Sequence, residues 1–235
     1  MIRNHFRSTI CLVIGLLCVS SYGEELSDLI TRLQKIEANS PLRAVVHVEE
    51  YTPETERKEG SLKLEKADLI ITSDANALTL CIKGDISNAR VFEEFSLLRA
   101  SELVHYGPSL ARELAGLKLV GKSPDSHEGI PCTRWHLRSE EKQSQLGMSA
   151  TLRRDVELWI DTEGYPIAAS FKKQGEGKVL LFRQSRESTR EQRYERGGGR
   201  LILVFDKQDD TIRQSESKGG KRIVTTTLEV KKSFR

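Results

Sequence analysis

Four histidines lie beyond the first 23 residues: His47, His105, His127 and His136. They are the first place to look for catalysis or metal binding. None sits in a His-Glu-x-x-His spacing and no Cys-x-x-Cys occurs, so the usual zinc-ligand patterns are missing. His127 stands near Asp125 and beside Glu128 in the run SPDSHEG. That trio has the residue types for weak cation binding or acid–base work, although a solvated turn has the same composition. No Gly-x-Ser-x-Gly elbow presents a nucleophile. Gly197-Gly198-Gly199 is followed by the strand-like RLILVF, with no Lys-Ser or Lys-Thr behind it, so it lacks the setting of a phosphate-cradling loop. Glu140-Glu141 and Asp209-Asp210 are adjacent pairs in stretches that read as polar loops, where hydration accounts for them. The chain reads as non-enzymatic, with no cofactor and no metal site expected.

The first residues, MIRNHFRSTICLVIGLLCVSSYG, place Arg3 and Arg7 ahead of an apolar run from about Ile10 to Val19. Ser21 and Gly23 are small residues at the −3 and −1 positions of a cut before Glu24. This is the layout of a secretory signal peptide spanning residues 1–23. The alternatives are an uncleaved anchor, for which the run falls short of the ~20 residues that cross a bilayer, and lipidation at Cys18, which follows the bulky Leu17. The expected location is the periplasm. Two cysteines then remain, Cys81 and Cys132, in the strand-like runs ALTLCIK and IPCTRWHL. In an oxidising compartment such a pair tends toward a disulfide. Each shares a strand face with polar neighbours, Thr79 and Lys83 in one run, Arg134 and His136 in the other, which permits a bridge if the two strands are neighbours.

Charge is unevenly spread. Residues 24–171 hold 18 Lys and Arg against 25 Asp and Glu, and residues 172–235 hold 17 against 9. One consequence is that the two halves attract each other and keep the outer strands hydrated. Another is a basic surface for an acidic protein or an anionic membrane surface. Nucleic acid is not expected as a partner of an exported chain.

The elements that must carry these residues are mostly strands. Residues 25–38 place Leu26, Leu29, Ile30, Leu33 and Ile36 at helical offsets, and Asn39-Ser40-Pro41 stops the helix. Strand-like runs follow at 43–51, 61–66, 68–73 and 77–83. Two short helices are expected within 101–114, the second with Pro108 in its first turn. After them come strands at 117–121 and 130–138, a polar loop at 139–150, and a hairpin over Glu157–Lys173 that turns at Thr162-Glu163-Gly164. Runs at 178–184, 200–206, 211–217 and 222–230 complete the count of about ten strands and three helices. A sheet that wide curls. The expected fold is therefore α+β, mainly antiparallel: a half-barrel whose concave face is covered by the helices, forming a single domain over residues 24–235. A two-sheet sandwich is the alternative.

The order of these parts carries a resemblance. A leading helix, a meander, helices near Ser101–Leu114, the run Gly129-Ile130-Pro131-Cys132-Thr133-Arg134-Trp135 and the Leu158-Trp159-Ile160-Asp161…Tyr165-Pro166 hairpin together resemble the LolA-like group of periplasmic proteins, which includes lipoprotein carriers and lipoprotein-sensing regulators. The resemblance covers most of residues 25–230 and implies an incomplete barrel whose apolar hollow takes acyl chains. On that reading the ligand is a lipid or a lipoprotein acyl chain, and Leu62, Leu64, Leu78, Leu80, Ile82, Trp135 and Leu137 are the candidate lining. The alternative is a structural or regulatory interaction protein with a packed interior and a basic C-terminal partner surface.

Overall fold

The computed structural model describes residues 22–37, 41–52, 63–73, 78–83, 97–145, 148–179, 182–214 and 220–231. Among the described residues three helices are seen: α1 (residues 22–34), α2 (Leu97–Val104) and α3 (Gly107–Leu114). Ten strands form one antiparallel sheet: β1 (Leu42–Thr52), β2 (Lys63–Ser73), β3 (Leu78–Lys83), β4 (Lys118–His127), β5 (Ile130–Gln145), β6 (Met148–Asp161), β7 (Pro166–Val179), β8 (Phe182–Gly197), β9 (Arg200–Gln214) and β10 (Gly220–Lys231). Their order is β3-β2-β1-β10-β9-β8-β7-β6-β5-β4, so the sheet is open, with β3 and β4 at its edges.

That order explains the helices. β3 and β4 are consecutive in the chain yet stand at opposite edges of the sheet. The connection between them carries α2 and α3 over the concave face. α2 packs on β3 and β9, and α3 packs on β9. A helix of eight residues has too few internal hydrogen bonds to persist alone, so both depend on this seat.

The concave face is the core. Alternation on β1 sends Leu42, Ala44, Val46 and Val48 inward; β6 contributes Val156, Leu158 and Ile160, and β5 contributes Trp135 and Leu137. Leu26, Leu29 and Leu33 of α1, with Leu103, Leu110 and Leu114 of the other helices, meet them and are almost fully buried. Each such leucine contributes roughly 1.5–3 kcal/mol by leaving water. α1 and α3 approach each other closely at Gly107, where a Cβ would stand 2.7 Å from the Leu33 carbonyl oxygen. The β6–β7 hairpin turns as its sequence predicts: Asp161 Oδ1 accepts from the amides of Glu163 (2.9 Å) and Tyr165 (2.8 Å), and Gly164 takes φ +82°.

Several boundaries differ from the sequence reading. Residues 63–73 make one strand rather than two, and within the stretch read as a polar loop at 139–150, residues 139–145 end β5 and residues 148–150 begin β6. Glu140-Glu141 and Asp209-Asp210 accordingly sit on strands, not in loops. Residues 185–196, SRESTREQRYER, which lie outside the strand-like runs of the sequence, form most of β8. The cross-strand partners of β8 compensate for its charge: Lys172 pairs with Glu187 at 3.2 Å and Arg186 with Asp210 at 3.4 Å.

The expected disulfide is not formed. Cys81 and Cys132 are both free thiols. Cys81 pairs in register with Ile70 on β2, and Cys132 with Asp125 on β4 and Asp161 on β6. The condition for a bridge was that their strands be neighbours; β3 is one edge of the sheet and β5 lies next to the other. A disulfide needs the two Cα atoms within about 7 Å.

Candidate functional site

The most concentrated polar chemistry lies between the α2–α3 unit and strands β8 and β9. Arg190 is its hub. Its Nε donates to Asp206 Oδ1 at 2.6 Å, Nη2 to Asp206 Oδ2 at 2.8 Å, and Nη1 to Glu113 Oε1 at 2.6 Å. This is a two-pronged carboxylate clamp with a third bond reaching up to α3. Arg99 of α2 also pairs with Asp206, and Arg112 of α3 reaches Glu102 of α2 at 3.2 Å. Three guanidiniums face three carboxylates, so the cluster is balanced.

Tyr106, at the junction of α2 and α3, completes the link. Its amide donates to the Leu201 carbonyl on β9 at 2.7 Å, its hydroxyl lies 3.1 Å from Glu113 Oε1, and its ring stacks on Tyr194 of β8 with centroids 5.8 Å apart. Gln192 sits between them, almost fully buried. With its amide oxygen turned to Arg190, Gln192 accepts from Nε (3.0 Å), Nη2 (2.9 Å) and the Tyr106 hydroxyl (2.7 Å), while its nitrogen donates to the Tyr194 hydroxyl. The opposite orientation would set the amide nitrogen against a guanidinium.

A β-bulge makes this cluster possible. Leu203 pairs with Tyr194, and Phe205 with Arg193, so β9 carries one extra residue, Val204, against β8. The extra residue lets Leu203 and Asp206 both face inward, which strict alternation forbids. Thus one short segment supplies a core leucine and the buried carboxylate.

The electrostatics follow from burial and pairing. Burial alone would raise the Asp206 carboxyl, but the hydrogen bonds and charge of Arg190, with the charge of Arg99, outweigh it and hold Asp206 below the usual carboxylate range. Burial pushes the Tyr106 and Tyr194 phenols well above their ordinary value. A phenol so raised stays protonated and is a poor proton donor, and an arginine held by two carboxylates is not available to a substrate. The adjoining cleft, about 220 Å³, is lined by Arg99, Glu102, Tyr106, Ser109, Arg112 and Glu113. That is smaller than the ~300–1,000 Å³ typical of small-molecule sites. The arrangement is a latch that seats two helices.

The residues singled out from sequence lie elsewhere. Trp135 and Leu137 are buried within the core, while Leu78 and Leu80 are half-buried and pack against it from β3. Leu62 lies outside the described residues. Leu64 and Ile82 fall in β2 and β3, but their side chains lie outside the described set. His127 packs its ring on Trp159, centroids 5.0 Å apart. Trp159 Nε1 donates to Asp125 at 3.0 Å, and Glu128 pairs with Arg193 at 2.9 Å. These contacts explain how Trp159 is accommodated on an otherwise polar strand face. Among the described residues no three metal-ligating side chains gather.

The latch was missed because Arg190, Gln192 and Tyr194 fell in a stretch without apolar alternation. One signal was available: Arg190, Arg193 and Arg196, every third residue in the basic half, pair with Glu113, Glu128 and Glu163 from the acidic half. Comparison with family models, with curated proteins and with solved structures found no match to this chain.

Proposed function

We propose that this chain is an exported, non-enzymatic binding protein that holds a lipid or lipoprotein acyl chain on a LolA-like half-barrel, with entry where α2 meets the β3 edge. One observation carries this reading. At the leading end of α2, Leu97 and Leu98 are 51% and 71% exposed, and the helix packs on the edge strand that carries the half-buried Leu78 and Leu80. Two adjacent exposed leucines next to half-covered ones form an incomplete apolar surface, and a hydrocarbon chain laid there gains about 0.8 kcal/mol per buried CH₂. The signal-like leader and the order of elements support export and the family likeness.

The test is native mass spectrometry of the purified protein together with uptake of a fluorescent fatty acid. Co-purified lipid, or saturable uptake, is expected. A clean protein mass with no uptake would sink the reading. The closely packed interior over β4–β9 favours a second reading, a regulatory interaction protein that uses its basic strands to meet an acidic partner. That partner would be lost from a pull-down at high salt.

A further inference from the structure

A second polar region is built differently from the latch. The end of α1, the β6–β7 turn and the β8–β9 turn enclose two clefts that share Ile36, Tyr165 and Gly199. They measure about 310 and 400 Å³. Arg32 and Lys35 line one, and Arg196 and Arg200 line the other. Glu37 is the one carboxylate among the lining residues, and Arg196 is engaged by Glu163 and lies near the charge of Asp161. Arg32 and Lys35 outnumber Glu37, so the cleft at the end of α1 carries an excess of positive charge, where the latch is balanced.

The parts are held in place. The Arg32 and Arg196 guanidiniums both pack on the Tyr165 ring, 5.7 and 4.2 Å from its centroid. Gly164 makes room for Arg32, since a Cβ there would stand 2.8 Å from Nη1. Gly198 and Gly199 take φ +59° and +73°, a left-handed turn without side chains that leaves the backbone approachable.

We propose that this groove binds the phosphate group of an anionic ligand. Guanidiniums present forked N–H donors that match phosphate oxygens, while Ile36 and Tyr165 offer an apolar wall to the organic part beside the phosphate. An anionic phospholipid headgroup and a soluble phosphate ester share this chemistry. The groove has no residue in common with the α2–β3 edge, so it stands independently of the acyl-chain reading.

The experiment measures co-sedimentation of the protein with vesicles of equal phosphatidylglycerol and phosphatidylcholine, against phosphatidylcholine alone. In parallel, inorganic phosphate is titrated while backbone amides are followed by NMR. Arg32→Gln with Lys35→Gln is compared with a charge-matched control on the outer strands, Lys142→Gln with Arg153→Gln. The groove pair is expected to weaken binding about tenfold or more and the control less than about twofold. Because Arg32 packs against a turn, Lys35→Gln alone serves as the variant that leaves packing intact. Amide shifts at Tyr165 and 197–199 with phosphate point to a soluble ester; vesicle binding without them points to a lipid surface. Equal weakening by both pairs, or no response to either probe, overturns the proposal.

Discussion

The seat of α3 and the leading end of α2 are neighbours in the chain and are built by opposite means. α3 is fixed from below by Arg190, Asp206 and Gln192, from the side by α1 at Gly107, and by a backbone bond from Tyr106 to Leu201. α2 begins with two leucines in water and packs on β9 and the short edge strand β3. Buried ion pairs are specific but weakly stabilising, whereas uncovered apolar surface is permissive and costs free energy until something covers it. The contrast sets a polar seat that fixes the helices against an apolar surface left uncovered beside it.

The comparison breaks most directly at its hub. Arg190→Met leaves the buried Asp206 and the partly buried Glu113 without their main cation, and a loss of about 3–5 kcal/mol is expected from denaturant unfolding. A loss below about 1 kcal/mol would mean that the latch is not what seats α3.

Gly107→Ala tests the lateral contact. Its Cβ would meet the Leu33 carbonyl oxygen, a backbone atom that cannot swing aside. About 1–3 kcal/mol is expected, read as a lower thermal midpoint.

pH separates charge from packing. The Asp206 carboxyl titrates below its unfolded counterpart, which sits near 4. Its contribution is complete above that value and is lost as pH falls through the lower folded one. Stability should therefore decline below about pH 4, and Asp206→Asn should flatten that limb of the profile. An unchanged acid limb would exclude Asp206 as a source of it.

The smallest change in stability belongs to the exposed end. Leu97→Ser with Leu98→Ser should shift stability by no more than ~0.5 kcal/mol. Fatty-acid uptake should nevertheless fall about tenfold, on the order of one leucine's burial. A large stability loss with unchanged uptake would reverse that contrast.

The apolar part of the fold was legible because alternation and helical spacing report directly on burial. Leu26, Leu29 and Leu33 announced α1, and Val156, Leu158 and Ile160 announced β6. The β8 segment was not legible, because its inward positions are Arg190, Gln192 and Tyr194, each acceptable only opposite a partner far away in sequence. The candidate lining divided for a related reason. Residues at good strand positions were identified, but which of them a helix would seal depended on where the chain crossed the face.

Local pattern alone thus determined the mainly antiparallel strand character, the helical stripe of α1 and the Asp161–Gly164 turn, since each follows from contacts within a few residues, while the division of the runs into strands did not follow from it. Strand order, the separation of Cys81 from Cys132, the bulge that turns Asp206 inward and the pairing of Arg190 with Glu113 were decided by the assembled sheet. They rest on side chains brought together from distant points of the chain, and no local periodicity encodes that meeting.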